Sequence, residues 1–301
     1  MLSITGRVPV ISIWRGRDTV TKKKHTYHSK KTRREDAPNF LGQHFLHTKK
    51  LIHELANQAR LSRADTVLDL GAGKGALTEV LLQKAGKVVA VEYDRRLIET
   101  LKLKTAHNGN VTIIQQDIVK LQLPKENFVV VSNIPYSITT PIMKMLLNHP
   151  ASGFQRGVLV MEKGAAKRFT AKAVKDAYVA AWRMWFDICY VKTVPRECFA
   201  PPPKVDSAML SITRKAKPLV PLKHHVLFHR LAEHILKAPK AAIDDAVRGI
   251  FTPPQITHLK RNLKGTADLR VESLSEEQWG VMFETMVKYV PPFRWPKGRK
   301  K

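Results

Sequence analysis

The chain has 301 residues and carries 52 Lys and Arg against 25 Asp and Glu, a formal net charge of +27 at pH 7 that indicates a polyanionic partner. Its 44% of hydrophobic residues exclude a wholly disordered chain, and no stretch reaches the roughly 18 apolar residues of a membrane-spanning helix. Two cysteines exclude a disulfide scaffold and fit a reducing cytoplasm.

Residues 1–38 are predicted to form a flexible basic extension with 10 basic and 3 acidic side chains. The apolar run at 8–14 is short and interrupted by Pro9, which is not typical of a signal peptide. Arg7, Arg15 and Arg17 fit either an organellar transit peptide or a leader that is not translated. In the second case translation begins near Val20, a hypothesis that the intact mass of the natively expressed protein would test.

From residue 39 the hydrophobic pattern alternates between strands and helices, which predicts an α/β fold with a mostly parallel sheet covered on both faces. The predicted strands are 66–70, 87–92, 111–114, 128–132, 158–161, 185–194 and 208–213. The predicted helices among them are 49–60, 76–84, 95–105 and 141–147.

After Lys215 the pattern becomes purely helical, with predicted helices at 226–237, 241–248, 254–263 and 276–288. We therefore expect two domains after the extension: a Rossmann-like α/β domain over 39–216 and a small all-helical domain over 217–301.

A glycine-rich turn, Gly71-Ala72-Gly73-Lys74-Gly75, follows the first long strand, and Glu92 lies 21 residues after Gly71. This spacing fits a nicotinamide dinucleotide site, in which the acid binds the ribose. It fits S-adenosylmethionine equally in geometry. The carboxylate of Asp69 before the glycines favours S-adenosylmethionine, because it would repel a pyrophosphate but tolerates a cationic amino acid and sulfonium.

Asp117 follows the third strand and is expected at the same edge of the sheet. Two roles are open for its carboxylate: it accepts a hydrogen bond from the exocyclic amine of a cofactor adenine, or it caps the next turn.

The tetrad Asn133-Ile134-Pro135-Tyr136 ends the fourth strand and indicates methylation of an adenine N6. That nitrogen is a poor nucleophile because its lone pair is delocalised into the ring. The Asn133 side-chain carbonyl and the Ile134 backbone carbonyl can accept its two N–H groups and stabilise the developing positive charge. Tyr136 offers a flat face on which an extruded base can stack.

Phe199 precedes the rigid run Pro201-Pro202-Pro203. Either the loop presents this aromatic ring to the second face of the target base, or Phe199 packs beneath the loop. Local sequence leaves both roles open.

Taken together, these motifs resemble the rRNA adenine N6-methyltransferases, and in particular the Erm branch that confers resistance to macrolides, lincosamides and streptogramin B. The resemblance spans about residues 21–295. Its motifs, in order, are Gln43-His44-Phe45-Leu46, the glycine-rich turn, Glu92, Asp117, the Asn133 tetrad and the 199–205 segment, with support from 137–142, 161–168 and 249–253.

The resemblance implies a Rossmann-like, S-adenosylmethionine-dependent methyltransferase domain with a small helical C-terminal domain. It implies mono- or dimethylation of N6 of one adenine in the peptidyl-transferase loop of 23S rRNA, free or in precursor particles, by a cytoplasmic monomer without a metal.

By position in the motifs, the resemblance assigns two groups of residues. Those expected at the cofactor are His44, Leu46, Gly71, Glu92, Asp117 and Asn133, and those expected at the target base are Asn133, Tyr136 and Phe199. The family usually has Asn where His44 stands and Glu where Asp69 stands. Neither departure removes a group that the chemistry requires.

Three rival functions remain open. The housekeeping small-subunit rRNA dimethylase shares the fold and the chemistry and methylates a pair of adjacent adenines. A non-catalytic RNA-binding factor on the same scaffold would not need the intact Asn133 tetrad. A nicotinamide oxidoreductase explains neither the tetrad nor the net charge of +27.

Overall fold

The computed structural model of the protein describes residues 43–263 and 269–298. The predicted extension at residues 1–38 and the basic residues 299–301 lie outside this part of the chain.

Short segments of extended chain alternate with helices, as the hydrophobic pattern predicts. The strands of the described residues are β1 (Phe45–Leu46), β2 (Thr66–Leu70), β3 (Lys87–Glu92), β4 (Val111–Gln115), β5 (Phe128–Asn133), β6 (Phe154–Glu162), β7 (Phe186–Val194), β8 (Phe199–Ala200) and β9 (Ser207–Arg214).

Seven strands form one sheet in the order β4-β3-β2-β5-β6-β9-β7. Its first five strands run parallel, which confirms the prediction of a mostly parallel sheet. β9 runs antiparallel between β6 and β7, so the sheet is mixed at that edge. The strand order reverses between β2 and β5, and such a switch point leaves a crevice at the carboxyl ends of the two strands where ligands bind.

The helices cover both faces of the sheet and then continue as a helical C-terminal part. They are α1 (Lys49–Gln58), α2 (Ala76–Leu82), α3 (Arg95–Thr105), α4 (Thr139–Leu147), α5 (Lys163–Thr170), α6 (Ala177–Trp185), α7 (His225–Ile235), α8 (Ile243–Ala246), α9 (Pro253–Leu263) and α10 (Glu276–Tyr289). Among the described residues, none of these helices is long and apolar enough to cross a membrane.

The hydrophobic pattern does not predict two of the helices, α5 and α6. Seven of the nine residues of α6, from Val179 to Trp185, are buried. A helix that is buried all round shows no amphipathic period, so its pattern cannot be told from that of a strand. The prediction of a strand beginning at residue 185 is therefore wrong by one position: Trp185 ends α6, and β7 begins at Phe186.

The hydrophobic core divides into two clusters, one on each face of the sheet. The first packs α1, α2 and α3 against the sheet. The second contains Phe154 and Trp182 and continues without interruption to Phe228 and Trp279 of the helical part. The Trp185 ring meets Phe228 edge-on at 6.0 Å, and its indole N–H donates to the Val220 carbonyl at 2.8 Å. The boundary at residues 216/217 stays a prediction; it falls between β9 and α7, where these two parts share their core.

Candidate active site

The glycine-rich turn between β2 and α2 is held against the end of β3. The backbone N–H groups of Gly71 and Ala72 both donate to the Val91 carbonyl, at 2.8 and 3.0 Å. Gly71, Gly73 and Gly75 all have positive φ angles, which glycine adopts without strain. A Cβ on Gly73 would stand 3.0 Å from the Phe45 ring. The turn thus needs its glycines for backbone shape and for close packing.

Glu92 ends β3, and its carboxylate is buried among backbone donors. One oxygen accepts the N–H of Gly73 at 2.9 Å, and the other accepts those of Tyr93 and Asp94 at 2.7 and 2.9 Å. Only 7% of the residue is exposed. The carboxylate predicted for a ribose therefore also ties the glycine-rich turn to the end of β3.

Asp69 on β2 is fully buried beneath the turn. Its carboxylate accepts a hydrogen bond from the Thr78 hydroxyl on α2 at 2.8 Å. Burial, opposed by the Thr78 hydrogen bond and reinforced by the nearby charge of Glu92, raises the pKa of Asp69 to about 7. The buried carboxyl therefore keeps its proton to a higher pH than an ordinary aspartate does.

Asn133 stands at the end of β5, next to the glycine-rich turn. Its side-chain N–H donates to the His44 backbone carbonyl at 2.9 Å. Its side-chain oxygen is buried and accepts no hydrogen bond within the described part of the chain. Such an acceptor costs free energy unless a ligand donates to it. The N–H of Ile134 donates to the Val160 carbonyl at 3.0 Å, which fixes the tetrad to β6.

Tyr136 follows on a single turn of 3-10 helix, Tyr136–Ile138. Its hydroxyl is hydrogen-bonded to the hydroxyl of Ser207, the first residue of β9. Burial, opposed by that hydrogen bond and reinforced by the charge of Glu162, raises the pKa of Tyr136. The His44 ring lies 5.7 Å from the Tyr136 ring, tilted by 38°.

Two adjoining cavities open on these residues. The first, the Glu92 cavity, has a volume of about 390 Å³ and is lined by His44, Glu92, Asp117, Asn133, Ile134 and Tyr136 among others. The second, the Leu46 cavity, has a volume of about 590 Å³ and is lined by Leu46, Asp69, Ala72, Lys74 and Leu77 among others. Both are bounded by Phe45, Gly71, Gly73 and Asn133, so the turn and Asn133 form the wall between them.

Asp117 performs the capping role that the sequence left open. One of its oxygens accepts the N–H of Val119 at 3.1 Å at the start of the turn Ile118–Lys120. It also lines the Glu92 cavity, as Glu92 does. A carboxylate has several acceptor positions, so the cap leaves capacity for a ligand amine.

His44 and Leu46 both reach the cavities, His44 the first and Leu46 the second. The His44 ring nitrogen Nδ1 is hydrogen-bonded to the Pro201 carbonyl at 2.8 Å, and the contact with Asn133 uses the His44 backbone. The departure from the usual Asn therefore leaves the backbone contact intact.

Phe199 is not brought to the cavities. It lies on β8, opposite Leu46 of β1, with 1% of its surface exposed, and it belongs to the core cluster on the α1 face. Of the two roles that the sequence left open, its position favours packing beneath the loop.

Thr78 and Ser207 are site residues that sequence reasoning missed. Each contacts a predicted residue through a hydroxyl on another element, at a sequence distance of 9 and 71 residues. No local pattern marks either one. Within the described ranges, no group of three or more His, Cys, Asp or Glu side chains could hold a metal ion.

The chain matches the ribosomal RNA adenine dimethylase family over residues 34–288. A relative from Bacillus licheniformis named rRNA adenine N-6-methyltransferase is 58% identical over 280 residues, covering 93% of this chain and 98% of the relative. A relative from Staphylococcus haemolyticus named Ribosomal RNA small subunit methyltransferase A is 32% identical over 225 residues, covering 70% of this chain and 75% of the relative.

The crystal structure of the 23S rRNA methyltransferase ErmE superposes with a TM-score of 0.73 at 26% identity, covering 81% of this chain and 100% of that chain. This likeness confirms the Rossmann-like α/β fold that the sequence predicts. With the family match and the Bacillus relative, it also confirms the resemblance to the Erm enzymes. The chain therefore belongs to the ribosomal RNA adenine dimethylase family and is an rRNA adenine N6-methyltransferase.

Proposed function

We propose that the protein uses S-adenosylmethionine as its methyl donor and binds it across the two cavities. In this proposal the Glu92 carboxylate binds the ribose hydroxyls and the Asp117 carboxylate accepts the adenine amine; both residues line the Glu92 cavity. The glycine-rich turn lets the backbone approach the ligand closely. The other residues proposed to contact the cofactor are His44, Leu46, Gly71 and Asn133.

The acidic residue Asp69, which lines the Leu46 cavity, favours S-adenosylmethionine over a dinucleotide as the cofactor. Asp69 is fully buried there and within electrostatic reach of Glu92. A pyrophosphate would be repelled by the charge of Glu92 and by Asp69 when it is ionised, whereas a cationic amino acid and sulfonium would be attracted. Bound S-adenosylmethionine supplies an electrophilic methyl group.

The orphaned side-chain oxygen of Asn133 is the observation that carries the proposed chemistry. It is buried at the wall between the cavities and accepts no hydrogen bond within the described residues. A target adenine that enters the Glu92 cavity on its Tyr136 side, beside the bound cofactor, would donate one amine N–H to this oxygen and the other to the Ile134 carbonyl. Both acceptors stabilise positive charge on N6 as it attacks, and Tyr136 holds the base by stacking.

No protein base is required in this scheme. The methylated nitrogen becomes acidic enough to release its proton to water. The role of Phe199 on the second face of the base stays a prediction, which its burial does not favour.

We further propose that the target is one adenine in the peptidyl-transferase loop of 23S rRNA. Support comes from the likeness to ErmE, a 23S rRNA methyltransferase, and from the stronger similarity to the Bacillus relative than to the small-subunit enzyme. Methylation there would block macrolides sterically and remove N–H donors, and so confer resistance to macrolides, lincosamides and streptogramin B. We expect a cytoplasmic monomer acting on free 23S rRNA or its precursor particles.

The net positive charge of the chain supports different roles for the two proposed domains. The cavities lie within residues 39–216 and select the adenine N6 that is methylated. The helical part within 217–301 and the basic ends supply much of the affinity for RNA. Because such affinity comes from phosphate contacts, it is expected to fall steeply as salt is added.

Transfer of a labelled methyl group to separate 23S and 16S transcripts tests the target. We expect label in 23S rRNA alone. Label confined to the 16S transcript would favour the housekeeping function, and no transfer to either RNA would favour a binding protein. Growth of cells that express the chain on a macrolide, with a Tyr136→Ala variant as control, tests resistance independently.

A further inference from the structure

Ser207 occupies a rigid position in the sheet, although it lies outside the motifs that mark the site. It is completely buried at the start of β9, where it pairs with Glu162 of β6 on one side and Val194 of β7 on the other. The residue before it is tied down as well: the Asp206 carbonyl accepts the N–H of Lys163 at 3.0 Å, and their side chains form an ion pair at 3.2 Å. Its backbone therefore has a fixed place, and one side-chain bond separates that backbone from the hydroxyl-bearing carbon.

The Ser207 hydroxyl is hydrogen-bonded to the hydroxyl of Tyr136, 71 residues away. Tyr136 itself stands on a short 3-10 turn in which no residue is buried. The backbone of this turn is held by the N–H of Ile138, which donates to the Pro135 carbonyl at 3.2 Å. That bond fixes the backbone but leaves the tyrosine ring free to rotate about its side-chain bonds.

We propose that Ser207 is a positioning residue, whose hydroxyl anchors the Tyr136 ring at the angle that the target adenine needs for stacking. The inference rests on the proposed stacking role of Tyr136. A ring fixed in advance holds N6 in line with the methyl group and against the Asn133 oxygen. A ring that rotates lets the base bind in unproductive orientations.

A double-mutant cycle on Ser207→Ala and Tyr136→Phe tests the proposal. Each variant removes one hydroxyl of the pair, and we expect each to lower kcat for methyl transfer by about tenfold, since the Tyr136 ring or its replacement loses the bond that fixes its angle. KM for RNA should stay within about twofold, because affinity comes mainly from phosphate contacts. The double variant should show no loss beyond that of either single variant.

Two controls separate positioning from a structural defect. Ser211→Ala, on the same strand, should leave transfer unchanged, and the affinity for S-adenosylmethionine, measured by calorimetry, should be the same in all variants. The cycle is run on whichever rRNA the unsubstituted enzyme methylates, so an error in the proposed 23S target does not affect it.

The positioning role would be overturned if kcat of the double variant fell by the product of the two single losses. An unchanged kcat in Tyr136→Phe would overturn it too. A Ser207→Ala variant with weakened cofactor binding would also overturn it. If Ser207→Ala does not fold, Tyr136→Phe decides alone, because it keeps the ring and the serine and removes only the bond between them.

Discussion

The buried carboxyl of Asp69 should make the stability of this protein depend on pH in a direction opposite to that of an ordinary aspartate. Its folded pKa, about 7, lies above the 3.8 of an ordinary, exposed aspartate. Between these two values the folded state retains a proton that the unfolded state has lost. The free energy of unfolding therefore falls as pH rises through this window.

The size of the effect follows from the same two pKa values. One pKa unit corresponds to about 1.4 kcal/mol, so the interval from pH 5 to pH 7.5 should lower the free energy of unfolding by about 2 to 3 kcal/mol through this group alone. In Asp69→Asn the side chain is neutral at every pH and can still accept the Thr78 hydrogen bond. The change in the free energy of unfolding that Asp69 causes between pH 5 and pH 7.5 should therefore be absent from this variant.

Urea denaturation of both proteins across this pH range measures the difference, since all other titrating groups are common to them. Thr78→Val is a matched control: it removes the donor that favours the charged carboxylate, so it should raise the pKa further and extend the pH dependence upward. Parallel stability profiles for the unsubstituted protein and Asp69→Asn would refute the reasoning, because they would mean that Asp69 titrates alike in both states.

Substitutions at four further residues test the site. Glu92→Gln leaves one side-chain oxygen for three backbone donors, so the free energy of unfolding, measured by urea denaturation, should fall by about 2 to 3 kcal/mol. Cofactor affinity, measured by calorimetry, should drop at least about tenfold. Unchanged stability would mean that the carboxylate does not hold the turn. Tyr136→Ala should abolish methyl transfer and keep cofactor binding, whereas Asn133→Ala should reduce both; equal loss of cofactor binding in the two variants would contradict the stacking role. Phe199→Ala leaves a cavity in the core and should lower the free energy of unfolding by about 3 to 5 kcal/mol, while Phe199→Leu should keep both stability and methyl transfer. A stable Phe199→Leu variant without methyl transfer would instead support contact of Phe199 with the target base.

The first half of the fold was predictable because its elements carry their own periodicity. The apolar run of β3 and the amphipathic face of α3 give their bounds from sequence to the residue, Lys87–Glu92 and Arg95–Thr105. α6 was not predictable, since a helix surrounded by core has no polar face to show its period. The antiparallel course of β9 depends on pairing with β6 and β7, which a one-dimensional pattern does not contain.

The site divides in the same way. Glu92 and Asn133 could be predicted because each stands at the end of a buried strand beside a specific motif. The sequence could not choose between the two roles of Phe199, because its burial follows from the pairing of β8 with β1. The Ser207 contact with Tyr136 joins elements that are distant in the chain, and only the folded sheet brings the two hydroxyls together.

Mapping of the methylated nucleotide tests the central claim most directly. 23S and 16S rRNA are extracted from cells that express the chain or its Tyr136→Ala variant, and primer extension locates any dimethylated adenine. We predict one new stop, at a single adenine of the peptidyl-transferase loop of 23S rRNA, that is absent with the variant. A stop only in 16S rRNA, or the same stop with the variant, would contradict the proposed target and the role of the cavity.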